Sequence, residues 1–502
     1  MNFARILHVA GFTFLQAACS TFVAVLVGIL AAFFCGRRKF FGRKFLLSLS
    51  VVPFCLPSLI IALAYVSFLG LNGTLNHILM FVFKLKNPPV KILYSFFGLV
   101  LAQGFYNFPL IMKNVSETWQ RLPEQSAESA RLLGASESRI FRTITIYQLL
   151  PSIASSALIV FIYCFLSFIL VLLFGGIGNS TLEVEIYKAA RASLDFKTAF
   201  TLAFLEILIL CILTILHELL EKKSSNAKGL NQENFFVLKR IFGAKEILAF
   251  SILIILLLIF FIFPIFGIFA DAFSSKKISG FTFSTLKSVV KMKSFLPSLK
   301  TSLILGICTG FFCTLIGFLY SVFLKFLENK EKNYLNSVFK ILPMLPMCIS
   351  SVVLGVIIII LIPRGNIFCL IFAQSFLYWP LAYKVIYAQM TKISFDTVDS
   401  ALLLSKNKFD LTIRVLLPVS KNSLISAFGF SFALSAGDTT LPLVLSIPKF
   451  NTLSLFTYRL AGAYRFNEAC AAGLILASLC ILIFSLSGNI FNKSGDLQKI
   501  VG

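Results

Sequence analysis

The chain has 502 residues, of which 58% are hydrophobic and only 13% charged, with a mean hydropathy of +0.91. Soluble domains carry about 25% charged residues, so this balance excludes an ordinary soluble protein and describes one embedded in a bilayer. The net charge of +24 is spread over loops between apolar runs; with no separate basic domain it argues against nucleic-acid binding and for contact with an anionic membrane surface.

Lipid cannot satisfy open backbone groups, so runs this apolar must be helices. Each crossing needs about 20 residues. In chain order about 11 spans are expected, near 9–35, 45–69, 93–116, 151–175, 197–219, 246–268, 298–325, 335–363, 366–389, 419–446 and 466–489. The start, MNFARILHVAGF, enters the first run without a small-residue cleavage site and reads as a helix rather than a removed signal. One polar stretch divides the chain, giving a first repeat at 1–220, a linker at 221–245 and a second repeat at 246–502.

Basic loop bias sets the orientation. The 37–44 loop has five basic residues and 221–245 has six, which makes both cytoplasmic with the N-terminus outside. Opposite loops hold Lys84, Lys86, Lys91, Lys276 and Lys277, so the bias favours this orientation without compelling it. The eleven cysteines lie mostly in apolar runs, with no CxxC pair, and read as packing residues. His8, His77 and His217 are isolated, and no metal site is expected.

Shifting the sequence by 271 residues exposes an internal repeat. Gln103 falls on Gln374, Pro109 on Pro380, Lys113 on Lys384, Glu128 on Asp399, Ser129-Ala130 on Ser400-Ala401, Leu132-Leu133 on Leu403-Leu404, and Thr181 on Thr452. The LLP triplets at 149–151 and 416–418 are offset by 267 instead. That slip, about one helical turn, predicts a longer helix in the first copy. Both copies read span, polar helix, span, an even number of crossings apart. The fold class is therefore all-α, a polytopic membrane protein of two parallel repeats.

The polar helices are ESARLLGASESRIFRTITIYQLLP and DSALLLSKNKFDLTIRVLLP. Pro123, Glu124 and Glu128 mark the start of the first. Small residues at Ser129, Ala130 and Gly134 would let another helix approach closely.

These segments resemble the EAA loop of permease subunits of binding-protein-dependent ABC importers. That motif reads EAA, three residues, Gly, nine residues, Ile, any, Leu, Pro. The first copy matches at Glu128, Ala130, Gly134 and Ile144, with Ser129 in the second place and Tyr147 where Pro is expected. The second matches at Asp399, Ser400 and Ala401, with Ser405 in place of Gly, then Leu417 and Pro418. The resemblance implies two repeats of the type I importer permease fold in the inner membrane, fused in one chain. It implies that each polar helix is a cytoplasmic coupling helix seated on a homodimeric ATP-binding cassette ATPase, and that an extracytoplasmic binding protein delivers cargo. No Walker A motif is present, so ATP and Mg²⁺ belong to the partner; the chain itself needs no cofactor and is not an enzyme.

The segment LSAGDTTLPLVLSIPKFNTLSLFTYRLAGAYR looks most like thiamine-type permeases, and the fused layout also resembles ferric-iron permeases. Thiamine or its phosphate esters are the implied cargo, with ferric iron as the alternative. An ion-coupled secondary transporter is more remote, since few ionisable groups besides Asp438 lie within spans. Asp438 could line a translocation path or cap a helix break. Trp379, Tyr378 and Tyr106 could stack on a cation. Gln103 and Gln374 could face cargo or bond between helices. Tyr187 and Tyr458 could meet the binding protein or sit in the interfacial belt.

Overall fold

Small residues decide where the long apolar helices touch. The computed structural model describes residues 3–51, 56–122, 125–175, 180–229, 239–241, 243–274, 281–328, 339–340, 342–362, 365–448 and 450–497. It forms two compact units, one of residues 1–53 with 61–270 and one of 54–60 with 271–502.

In the first unit the helices are α1 (Phe3–Arg37), α2 (Arg43–Ser48), α3 (Ser58–Leu69), α4 (Thr74–Phe83), α5 (Phe96–Gln120), α6 (Gln125–Leu132), α7 (Glu137–Ile140), α8 (Ile146–Phe165), α9 (Ile169–Phe174), α10 (Leu182–Arg191), α11 (Phe196–Gly229), α12 (Ala244–Leu257) and α13 (Phe263–Ala272), α3 beginning in the short segment of the other unit. A chain of Ala17, Ala24 and Ala31, all fully buried, lies along α1. Gly28 brings α1 so close to α5 that an added Cβ would lie 2.8 Å from the Ile111 Cβ. The opposite stripe of α1, with Phe14, Phe22 and Leu26, is exposed for lipid.

The second unit holds α14 (Ser284–Val290), α15 (Phe295–Glu328), α16 (Ser351–Leu361), α17 (Ile367–Met390), α18 (Phe395–Leu404), α19 (Lys408–Leu411), α20 (Leu417–Gly437), α21 (Thr440–Leu445), α22 (Leu453–Gly462) and α23 (Phe466–Leu497). Here Gly317 seats α15 on α17, where a Cβ would meet the Tyr383 backbone nitrogen at 2.9 Å. Gly28 and Gly317 occupy equivalent places, since the first helix of each copy matches at a shift of 289.

By length and composition nine described helices can cross a membrane, or ten if a bent pair is one span. The third expected span, 93–116, is α5, a full helix that carries Gln103, Asn107, Lys113, Asn114 and Glu117 and falls short on hydropathy. The span expected at 335–363 is broken in its described part: a 3₁₀ turn, Leu342–Cys348, meets α16 at 83°. Pro343 and Pro346, which cannot donate to a helical ladder, sit in that turn.

Backbone register follows the repeat more strictly than the sequence does. Helices α5 and α17, α6 and α18, α7 and α19, α8 and α20 pair in order, and a π-turn occupies Phe141–Thr145 in one copy and Thr412–Leu416 in the other, 271 residues apart. The predicted extra turn in the first copy is absent, because α8 and α20 begin at Ile146 and Leu417, still 271 apart. Only the proline moves. Pro418 lies in the first turn of α20, just after the widened turn, whereas Pro151 lies inside α8.

The two basic loops meet. Arg38–Lys39 pairs with Lys239–Arg240 as a short parallel ladder, and Arg38 forms an ion pair with Glu246. Residues 230–238 of the linker, and Lys276 and Lys277, lie outside the described residues.

Candidate functional site

The polar helices sit at the end of each unit where the basic or buried anchoring residues lie. In the first unit, Gln120 at the end of α5 donates to the Cys35 carbonyl at 3.2 Å, so α5 and α1 finish together beside the 37–44 loop. The helix α6 follows at once. Pro123 and Glu124, expected at its start, lie outside the described residues, and Glu128 falls in the first described turn. In the second unit Lys325 of α15, 1% exposed, donates to the Ile393 carbonyl at 2.7 Å, one residue before the Ser394 cap of α18.

Each polar helix presents the same two faces. Ala127 and Val398 are buried, Ala130 and Ala401 are half-buried, and Glu128, Ser129, Asp399 and Ser400 are exposed. The helices differ at their C-termini. Gly134 adopts φ +79°, with the Ala135 N–H bonded to the Ala130 carbonyl at 3.0 Å and the Gly134 N–H to the Arg131 carbonyl at 2.9 Å. This is a Schellman end, which needs a left-handed residue. No atom lies within 4 Å of where a Gly134 Cβ would be, so the glycine serves backbone conformation, not close approach within the chain. Ser405 instead has φ −97°, and its hydroxyl donates to the Ala401 carbonyl at 2.6 Å. A side chain thus does in the second copy what a left-handed glycine does in the first.

Behind each helix a short cap-and-turn rejoins the membrane. Ser136 and Asn407 cap α7 and α19 at equivalent positions. An Arg131–Glu137 ion pair ties α6 to α7, and Arg414 pairs with Asp410 at 2.7 Å. Ile144 falls in the first π-turn; Leu417 and Pro418 open α20 after the second.

The residues considered for a translocation path separate. Gln103 accepts from Ser20 at 2.9 Å, joining α5 to α1. Gln374 accepts from Thr309 at 3.4 Å and from Ser435 at 2.6 Å, and donates to Asp438 at 3.1 Å. Both glutamines are buried and bond between helices. The other oxygen of Asp438 accepts from the Thr440 and Leu441 N–H groups at 2.9 and 3.3 Å, and Tyr378 also hydrogen-bonds this carboxylate. It stands at the break between α20 and α21 in the geometry of a helix cap. Trp379 is apart from this group, packed on Tyr320 and Tyr383 with ring centroids 5.6 and 6.4 Å away. Tyr106 lines a small apolar cavity with Tyr65, Phe260 and Phe261. Tyr187 lies edge-on to Phe168 at 5.2 Å.

Two features escaped the sequence reading. Leu132, Leu133, Leu403 and Leu404 are 90%, 88%, 89% and 91% exposed, so each polar helix displays a bare Leu-Leu pair. Their recurrence was visible, but leucine matches are cheap in so apolar a chain. Glu206, fully buried within the span of α11, adds an acid to the membrane region. At the other end of the first unit, Asp195 caps α11: the Thr198 hydroxyl donates to it at 2.6 Å and the Thr198 N–H at 3.1 Å, and these bonds hold its carboxyl below the usual range.

The chain is 26% identical over 486 residues to the thiamine transport system permease protein ThiP of Escherichia coli strain K12, covering 95% of this chain and 88% of that protein. It is also 26% identical to the protein of the same name from Haemophilus influenzae, covering 98% of this chain and 90% of the relative. A bacterial ABC transporter that imports alginate aligns with half of this chain and 96% of its own, at 18% identity and a TM-score of 0.37. The family model for the binding-protein-dependent transport system inner membrane component matches residues 24–226 and again 317–494. With both repeats matched, the chain belongs to that family: it is a multi-pass inner-membrane permease of an ABC importer, carrying two permease segments in one polypeptide.

Proposed function

We propose that this permease moves thiamine, or a phosphate ester of it, inward by alternating access, and that α6 and α18 are the handles through which a separate homodimeric ATPase drives it. The single observation that carries the coupling assignment is the bare Leu-Leu pair on each polar helix, in equal register at the 271-residue shift. Exposed adjacent leucines on a short amphipathic helix outside the bilayer are costly to leave in water and fit a groove on a partner. ATP and Mg²⁺ act on that partner. Closure of its two halves pulls two rigid handles, and the permease segments rock between inward and outward access.

The thiamine assignment is supported by relatives of that name aligned over almost the full chain. Asp438 and Gln374 belong to the scaffold in this reading, since their polar atoms are engaged with neighbouring helices. Cargo selection rests largely with the extracytoplasmic binding protein.

The test is reconstitution of the permease in liposomes with its ATPase and binding protein, followed by thiamine uptake with and without ATP. Uptake that needs ATP and saturates with thiamine supports the reading. Uptake driven by an ion gradient alone refutes ATP coupling, and a binding protein that delivers ferric ion instead of thiamine refutes the cargo.

A further inference from the structure

The short ladder between residues 38–39 and 239–240 pairs basic residues with basic residues. Its register sets Arg38 beside Lys239 and Lys39 beside Arg240. Neighbouring strands run about 4.8 Å apart, and like charges facing each other weaken a strand pair. A ladder this short has little else to hold it, so an anion placed against the cations would stabilise it.

The nearby Glu246 carboxylate does not serve the second pair. It accepts from the Arg38 Nε at 3.0 Å and from its Nη2 as well, while the Arg38 guanidinium lies over the Phe33 ring, 5.1 Å from the centroid. Arg43 turns inward, its Nε donating to the Cys35 carbonyl at 2.8 Å. Lys39 and Arg240 are exposed, as are Lys44 and Lys245 further along the two segments. Among the described residues no carboxylate pairs with any of these four.

The ladder sits where two spans leave the bilayer. Helix α1 ends at Arg37 and α12 starts at Ala244, and both belong to stretches long and apolar enough to cross a membrane. Phe40 packs its loop onto α12, with ring centroids 5.0 Å apart from Phe250. Phe41 and Phe45 are exposed instead, as are Ile247 and Leu248 in the first turns of α12. Unpaired cations beside bare aromatic and aliphatic side chains fit a surface that offers phosphate and hydrocarbon side by side, a leaflet containing anionic phospholipid. A free phosphate would leave the apolar groups in water.

We propose that Lys39 and Arg240 hold the phosphate of an anionic phospholipid, with Lys44 and Lys245 on the rim of the site and Phe41 and Phe45 among the acyl chains. The planar guanidinium of Arg240 suits two phosphate oxygens at once. The lipid then acts as counter-ion to the ladder and fastens the end of the linker to the end of α1. The site rests on the ladder; only its assignment to the cytoplasmic leaflet rests on the importer reading above.

The test uses the full chain. Phosphatidylglycerol binding is titrated in detergent by native mass spectrometry, and the unfolding midpoint is recorded in nanodiscs of phosphatidylcholine with and without phosphatidylglycerol. The unsubstituted chain should bind phosphatidylglycerol in preference to phosphatidylcholine and unfold at a higher midpoint when it is present. Lys39→Gln with Arg240→Gln should lower the affinity about ten-fold, and its midpoint should no longer respond to the lipid. In phosphatidylcholine alone this variant should unfold at or above the unsubstituted midpoint, because the repulsion is gone, which separates lost binding from lost folding. Lys86→Gln with Lys91→Gln removes equal charge ahead of α5, at the end away from Gln120, and should change neither readout. Unchanged affinity in the ladder variant, or equal loss in both variants, overturns the site. Displacement of the lipid by an equal concentration of inorganic phosphate refutes the lipid in favour of a free anion. Weaker retention of the ATPase with lipid affinity intact overturns it in favour of that partner. No readout depends on uptake, so failure of the importer reading leaves the result standing.

Discussion

Replacing Gly134 by valine isolates α6, the proposed coupling helix, from the rest of the fold. Its φ of +79° places an L-residue in left-handed backbone, at a cost of about 1–2 kcal/mol. The alternative is to unwind the turn and lose the bonds from Ala135 to Ala130 and from Gly134 to Arg131, at about 0.5–1.5 kcal/mol each. Either route costs about 1–3 kcal/mol, with valine toward the top because its branch stiffens the backbone. No neighbour is displaced, since no atom lies within 4 Å of the new Cβ. The loss is small against a global stability of about 5–15 kcal/mol, yet one or two kcal/mol weights the intact turn down by about five- to thirty-fold. Folding should survive while the handle frays. In proteoliposomes with the ATPase and binding protein, thiamine moved per ATP should fall several-fold in Gly134→Val, with hydrolysis retained. Gly134→Asn should stay close to the unsubstituted protein, since asparagine tolerates this conformation. Full coupling in the valine variant, or equal loss in both, would refute the reasoning.

Leu132→Ser with Leu133→Ser, and the matching pair Leu403→Ser with Leu404→Ser, should each shift stability by no more than about 0.5 kcal/mol because the side chains are exposed; retention of the ATPase on a permease affinity column should drop, and undiminished retention would count against these helices as the docking elements. Gly317→Ala drives a methyl against the Tyr383 backbone nitrogen, 2.9 Å from the ideal Cβ, and should destabilise by about 1–3 kcal/mol, read as a lower unfolding midpoint in detergent; an unchanged midpoint would mean that α15 and α17 part easily. Asp438→Asn keeps the capping oxygen but not the charge, so the KM for uptake should stay within about two-fold while the unfolding midpoint falls. A raised KM at unchanged stability would make Asp438 a cargo ligand instead.

Much of this fold was legible because the repeat is carried by residues with backbone consequences. Ser95 and Asn366 cap α5 and α17 in equivalent positions, and Thr181 and Thr452 precede α10 and α22 in the same way. Polar pairs such as Gln103 and Gln374 stood out against an apolar background, and they are buried in matching interhelical bonds. The Leu-Leu pairs did not stand out, because exposure is a tertiary property that leucine does not announce. The pairing of residues 38–39 with 239–240 is too short to leave a periodic trace. The offset of the LLP triplets marks a moved proline and not a longer helix, because the π-turns keep both backbones in step.

The two handles match in backbone but not in mounting, and the difference follows from one pair of positions. At the end of the first long helix, Gly36 leaves room for Trp119, whose Cβ would stand 3.2 Å from a Cβ added there. Trp119 is then 2% exposed and stacks on Phe141 of the first π-turn, centroids 6.0 Å apart. The shift of 289 puts Lys325 in the place of Gly36, and the 271 shift puts Met390 in the place of Trp119. Lys325 reaches the Ile393 carbonyl, before the helix, whereas Trp119 braces the π-turn after it. The Trp119–Phe141 stack is an apolar contact with no charged group, cheaper to shift than an ion-assisted bond. A charge-assisted bond from a buried ammonium has a fixed length and is expensive to break. In the proposed coupling role, a displacement of α18 would reach α15 through its entrance, and one of α6 would reach α5 through its exit. Two permease segments in one polypeptide can differ in this way, because each half has its own mounting, whereas a homodimer of identical halves would have to use the same one twice.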